Sequence, residues 1–216
     1  MLCVGLVEPR KAQTQLVRAF SHIAERHPDA VLACIGTNHD ERDSSQVALR
    51  AAVQAWDRCG QVRLIAATRD VARWYAAADL LVCASDLESQ PRTVLEAMVW
   101  EVPVLATRVF GLPEVVFEGV TGWLCPPRDT SALADALDRA LASTVDERRR
   151  IAAAARELVE QRHALVPYGA AMAQIIERCM NRSQGPRVLS IDDEPIAKVS
   201  RSATNTAVAS AAMARP

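Results

Sequence analysis

The chain is short of lysine, of aromatic residues and of the signatures that mark many common catalytic sites. Lys11 and Lys198 are the only lysines among 25 basic residues, and 26 acidic residues bring the formal net charge to -1. Such a balance gives no electrostatic pull toward nucleic acid or an anionic membrane. No stretch approaches the roughly 18 to 20 apolar residues of a membrane span, and the amino end lacks a basic-then-apolar leader. Cys3, Cys34, Cys59, Cys83, Cys125 and Cys179 stand singly, with no Cys-x-x-Cys pair. That pattern argues against a disulfide framework or a zinc knot and points to reduced, mostly buried thiols in a cytoplasmic protein. His22, His27, His39 and His163 have no metal-like spacing with one another or with the cysteines. Gly-x-Ser-x-Gly, a Gly-Lys-Ser phosphate loop and Gly-x-Gly-x-x-Gly are absent, which removes a serine-hydrolase elbow, a P-loop and a dinucleotide turn. No internal repeat is present.

What the chain does have is apolar residues, half of its 216, grouped in short runs. The pattern is clearest from Asp79 to Thr107. Leu80 to Ala84 and Val104 to Ala106 are apolar runs too short for helices and too apolar for half-wet strands, so a parallel sheet covered on both faces is expected. Between them lie a polar loop, Ser85 to Gln90, and an amphipathic helix, Pro91 to Trp100. Further strands are expected over Leu2–Val7, Ala30–Ile35 and Val62–Ala66, and Gly119–Leu124 is expected to give a hairpin-like turn and a last short strand. Helices are expected after the turn Glu8–Lys11, then over Ser45–Asp57 (apolar at Val47, Leu49 and Val53), Thr68–Ala78, Thr130–Ala142, Val145–Arg162 and Pro167–Met180. Six strands alternating with helices predict an α/β fold: a doubly wound, parallel six-stranded, Rossmann-like sheet with extra carboxyl-terminal helices. The domain is expected to span residues 1–182. Residues 183–216, where small polar residues dominate, are expected to be a disordered tail. Within that tail, Arg187 to Pro195 has the look of a receiver-domain opening strand, but too few residues follow to complete that fold.

In a doubly wound sheet, ligands sit beyond the carboxyl ends of the strands. This places Asp86, Glu88, Gln90, Arg92 and the following helix start beside any bound ligand. Glu88 and Glu96, eight residues apart, would face the same crevice from different heights. A local alternative exists for the second: Thr93-x-x-Glu96 fits a capping box. The helix start offers the N–H groups of Thr93, Val94 and Leu95 to an anion.

The ordered set ESQPRTVLEAM, PVLAT, GLPEVV and EGVTGWLCPPRD resembles the carboxyl-terminal, donor-binding half of retaining GT-B glycosyltransferases that carry a Glu-x7-Glu signature. The resemblance implies a nucleoside-diphosphate sugar as substrate, with no cofactor and no metal. It assigns Glu96 to the ribose diol, Glu88 to the hexose near the reacting carbon, Lys11 to the phosphates, Gly5 to close approach of the first turn, and the neighbourhood of Thr68 to the base. Asp86–Leu87–Glu88 invites a metal-bound sugar nucleotide, but in this fold class cations and a helix start neutralise the phosphates.

The chain departs from the family pattern in two places. Gly5-Leu6 replaces Gly-Arg, and Ser89-Gln90-Pro91 replaces Gly-Phe-Gly. Arg92, at the helix entrance, is a candidate to restore the cation lost at Leu6; a solvated arginine is the plain alternative. Gly111-Leu112-Pro113-Glu114 is expected to be structural. Because Met1 to Gly5 already has the look of a first strand, no acceptor domain is expected before it. That leaves three readings: a glycosyltransferase, completed if necessary by a separate acceptor-domain chain; a binding-only module; and a shortened piece of a full enzyme. The last helix, with Tyr168, Met172, Ile175 and Ile176 on one face, would either lack its usual partner domain or pack on its own sheet.

Overall fold

A computed structural model of the chain describes residues 1–180 except His39, Glu41 and Arg58; for Leu165, Pro167, Arg178, Cys179 and Met180 the backbone alone is described. The expected tail and the Arg187–Pro195 patch lie outside the described residues. Residues up to Glu160 form one compact unit, and those from Gln161 belong to a second.

The first unit is built on six parallel strands: β1 Leu2–Val4, β2 Leu32–Thr37, β3 Val62–Ala66, β4 Leu81–Cys83, β5 Val104–Thr107 and β6 Trp123–Cys125. Their order is β3-β2-β1-β4-β5-β6, the doubly wound sheet expected from the sequence. Helices α1 Gln13–Ser21, α2 Ser44–Trp56, α3 Ala72–Ala76, α4 Arg92–Val99, α5 Thr130–Ala142 and α6 Val145–Arg162 flank it. The second unit holds α7, Leu165–Met180, on which Val166, Tyr168, Met172, Ile175 and Ile176 are exposed.

Successive strand residues point to opposite faces, and both faces are buried. Cys3, Val82 and Leu105 enter one core with Leu16, Phe20, Leu133 and Leu137. Leu2, Leu81 and Val104 enter the other with Val94, Met98 and Leu112. Each fully buried aliphatic or aromatic side chain stabilises the fold by about 1.5 to 3 kcal/mol. Side-chain caps fix helix starts among the described residues: Asp43 accepts from Ser45 N at 2.9 Å, Asp129 from Ala132 N at 2.9 Å and Thr144 Oγ1 from Glu147 N at 3.1 Å. The chain leaves the centre of the sheet in both directions, so β1 and β4 are neighbours and their carboxyl ends frame the crevice at the topological switch point.

Several boundaries differ from those expected. The first strand stops at Val4 because Gly5, at φ 149°, turns the chain out of the sheet. The helix expected from Thr68 begins only at Ala72, since Thr68 Oγ1 accepts from Asp70 N at 3.1 Å and closes a local turn instead of a cap. On α2, Val47 is exposed while Gln46 is buried, its Oε1 accepting from Asn38 N at 3.1 Å. No capping box forms at Thr93, because the helix opens on Pro91 with no side-chain cap. Cys3, Cys34, Cys83 and Cys125 are buried free thiols, and Cys59 is exposed. Burial pushes the Cys125 thiol up to about 11, which keeps it protonated and inert.

Arg128 occupies the left-handed region, at φ 59°, where a β-carbon costs about 1 to 2 kcal/mol. Its side chain is 76% exposed, and its one ion pair among the described residues is with Asp86, Nε lying 3.5 Å from Oδ2. Arg128→Gly is therefore expected to stabilise the protein by about 1 kcal/mol, read as a higher urea midpoint at unchanged slope. An unchanged or lower midpoint would show that the ion pair outweighs the backbone strain.

Candidate functional site

The rim over β1 and β4 is assembled by backbone contacts between loops distant in sequence. Beyond Gly5 the chain runs to a tight 3-10 turn, Pro9–Lys11. Asp86 N donates to Arg10 O at 2.7 Å, tying the loop after β4 to that turn. Two glycines allow the close approaches. A β-carbon on Gly36 would stand 2.1 Å from Gly5 O, and one on Gly111 would stand 2.0 Å from Ser89 O. Gly36 lies where the β2–β3 register shifts, between Ile35 and Thr37, and so presents bare backbone to the first loop. Thr107 Oγ1 donates to Ser85 O at 2.5 Å and holds the start of the loop that carries Glu88.

These contacts bring Lys11 and Glu88 together. Lys11 Nζ donates directly to Glu88 Oε2, and Arg10 Nη1 lies 3.5 Å from the same oxygen. Arg10 is itself oriented by Glu8, with Nε 2.7 Å from Oε2. The Glu88 side chain is 9% exposed and that of Lys11 17%, so the carboxylate is held by two cations in a largely water-excluded setting. Asp86, two residues earlier, has one carboxylate oxygen buried with no partner among the described residues. A shallow groove of about 730 Å³ runs from Glu8 and Asp86 along the starts of α1 and α2.

Helix α4 faces the same crevice, and Thr93 shares a small cavity with Lys11, Cys83 and Ser85. Val94 N donates to Pro91 O at 3.0 Å, and Leu95 N lies 3.5 Å from that oxygen. The tight first turn thus uses two of the three N–H groups that the sequence offered to an anion. The N–H groups of Arg92 and Thr93 are the ones with no hydrogen bond among the described residues, so the free donors sit nearer the rim than expected. Arg92 and Gln90 are exposed at this entrance.

Glu96 stands one turn along α4, about 4.5 Å of rise beyond Thr93, and helical side chains lean back toward the amino end. Its Oε2 accepts from the Tyr75 hydroxyl at 2.9 Å. Sequence reasoning passed over Tyr75; the signal available was a lone tyrosine in the alanine-rich run WYAAAD. Thr68 lies beyond β3, two strands from β1, or about 10 Å by strand spacing. Lys11, Glu88 and Thr93 therefore gather at the crevice, Glu96 stands beside them, and Thr68 marks a more distant point on the same rim. Leu6, Leu87 and Phe110, on loops that follow β1, β4 and β5, are 64%, 49% and 68% exposed. Taken together, the rim offers cations and free N–H groups for an anion, with a carboxylate on either side to accept from hydroxyl groups.

Residues 1–143 match the family described as glycosyl transferases group 1, and the chain belongs to that family. It is 33% identical over 148 residues to a D-inositol 3-phosphate glycosyltransferase of Frankia alni, an alignment that covers 65% of this chain and 36% of that protein. Among solved structures, Anabaena HepE in complex with UDP superposes with a TM-score of 0.74 at 23% identity, covering 82% of this chain and 48% of HepE. The C-terminal domain of the group 1 family protein LpcC from Francisella tularensis gives a TM-score of 0.68 at 24% identity, covering 76% of this chain and 86% of that domain. The fold is thus that of one half of a GT-B glycosyltransferase, and the chain spans about a third of the length of the relative from Frankia.

Proposed function

We propose that this chain is the donor-binding half of a retaining glycosyltransferase. It holds a nucleoside-diphosphate sugar in the crevice between β1 and β4, and the sugar is transferred once an acceptor-binding domain, on this or a separate chain, faces the rim. The observation that carries the reading is the meeting of Lys11 and Glu88 beside the free N–H groups of α4, with Glu96 one turn away. The Glu-x7-Glu spacing divides the labour. Glu96 accepts the two donors of the ribose diol, at about 1.5 to 3 kcal/mol for each charge-assisted bond. Glu88 orients the hexose, with Gln90 at the loop edge. Lys11, Arg92 and the N–H groups at the α4 start stabilise the diphosphate as it departs, which needs no metal. Gly5 lets the first turn approach the phosphates, and Thr68 lies toward the base. The bond from the anomeric carbon to phosphate oxygen breaks as the bond to the acceptor oxygen forms, and the acceptor proton passes to the departing phosphate. The HepE complex with UDP supports a nucleotide as ligand, and the free thiols fit a cytoplasmic setting.

The test is calorimetry and thermal shift with UDP-, GDP- and ADP-glucose. One of them is expected to bind in the micromolar range and raise the melting temperature; no binding by any of the three would overturn the reading. Arg92→Ala is expected to weaken the bound donor more than threefold, about 0.7 kcal/mol. A smaller loss removes Arg92 from the phosphate site and leaves the rest. A second reading, binding without transfer, follows from the acceptor face lying outside the matched half. Donor binding without release of nucleoside diphosphate, when acceptors are supplied to the chain together with its acceptor domain, would select it.

A further inference from the structure

Tyr75 has a buried ring and a polar tip aimed at the first turns of α4. The residue is 2% exposed, and its ring packs in the core that includes Val94, Ala97 and Met98 of α4. Its hydroxyl lies 2.9 Å from Glu96 Oε2 and 3.4 Å from Thr93 O. A phenol carries one proton, and the carboxylate is both the nearer and the stronger acceptor. Burial, and then the Glu96 carboxylate, push the tyrosine pKa far above its usual value, so the hydroxyl remains a donor at any working pH.

Glu96 is the opposite kind of residue: an exposed side chain with several rotatable bonds and no other carboxylate partner among the described residues. Left alone it would sample many rotamers, and ordering it on ligand binding would carry the full entropic cost. The core-locked hydroxyl supplies that order in advance. A carboxylate offers about four lone-pair sites. With one on Oε2 taken by Tyr75, the remaining sites include one on each oxygen that a vicinal diol can reach together.

We propose that Tyr75 is a positioning residue: it fixes Glu96 Oε2 so that the carboxylate meets both hydroxyls of a ribose, and this makes the site select ribonucleotides over deoxyribonucleotides. The inference rests on the reading of Glu96 as the ribose-binding residue and adds to it the group that imposes the selectivity.

The experiment uses the full chain and the best binder among UDP, GDP and ADP, together with its 2′-deoxy counterpart, all measured by calorimetry. The unaltered chain is expected to prefer the ribonucleotide by about tenfold or more, the worth of one charge-assisted hydrogen bond. In Tyr75→Phe, which removes only the hydroxyl, the ribonucleotide should weaken by about tenfold while the 2′-deoxy form changes less than about threefold, so the preference collapses. Adding Tyr75→Phe to Glu96→Gln should cost nothing further, because the two groups act as a unit. Equal weakening of both nucleotides in Tyr75→Phe would mark the hydroxyl as merely structural, and unchanged ribonucleotide affinity would show that Glu96 needs no anchor; either overturns the proposal. If the unaltered chain binds none of the three nucleotides, the donor-site reading itself fails and this inference fails with it. Failure confined to the variant leaves that reading standing.

Discussion

Gly36→Ala is expected to cost at least about 3 kcal/mol of stability and to abolish donor binding. The added β-carbon would stand 2.1 Å from Gly5 O, and the backbone sits at φ 115°, so the substitution meets two penalties. Left-handed strain alone is about 1 to 2 kcal/mol, and backbone overlap adds more, since no rotamer change can move a carbonyl aside. The first loop would shift away from β2, and the turn that carries Lys11 would shift with it. Gly60→Ala and Gly119→Ala separate the two penalties. Both residues have positive φ (65° and 69°) and nothing within 4 Å of the new atom, so each should lose only the strain and leave donor binding intact. The readouts are urea unfolding and donor calorimetry on all three variants. If Gly36→Ala behaves like the other two, the packing of β2 against the first loop is not what holds Lys11 in place.

Lys11→Met is expected to reduce transfer by about 10² to 10³ fold, the range seen when a preorganised transition-state donor is removed. It should also lower stability by about 2 kcal/mol. Breaking a buried pair by deleting one partner costs about 3 to 5 kcal/mol, and here Arg10, 3.5 Å from the same Glu88 oxygen, shares the charge and lessens the loss. Adding Glu88→Gln removes the stranded charge, so the double variant should regain most of the stability yet remain without activity. That split distinguishes a phosphate cation from a structural ion pair. Transfer by Lys11→Met within threefold of the unaltered protein would dismiss the lysine from the reaction.

How much of this could be read from the chain depends on the distance over which each feature is decided. The sheet was legible because it follows from local composition: Val62–Ala66 and Thr130–Ala142 have the bounds that apolar runs and turn residues dictate. Strand topology then placed Glu88, Lys11 and the start of α4 on one rim, although no local pattern shows Lys11 touching a residue 77 positions away. Pairings set by tertiary packing stayed hidden. Tyr75 and Glu96 are 21 residues apart, and the register shift at Gly36 appears only once β2 and β3 are aligned. Where a local rule failed, a competing local bond had won. Thr68 closed its own turn and shortened α3, and Pro91 O took the Val94 N–H that the helix start would otherwise have offered.

The direct contact between Lys11 and Glu88 also bears on how a ligand arrives. The Glu88 carboxylate already neutralises the ammonium, so the crevice projects little field into solvent. Under the proposed function, a diphosphate would exchange one anion for another at the lysine instead of falling into an open positive well. Encounter should therefore be only weakly accelerated at low ionic strength, and under that proposal recognition would depend on the carboxylate finding hydroxyl groups of its own at the moment it releases its cation.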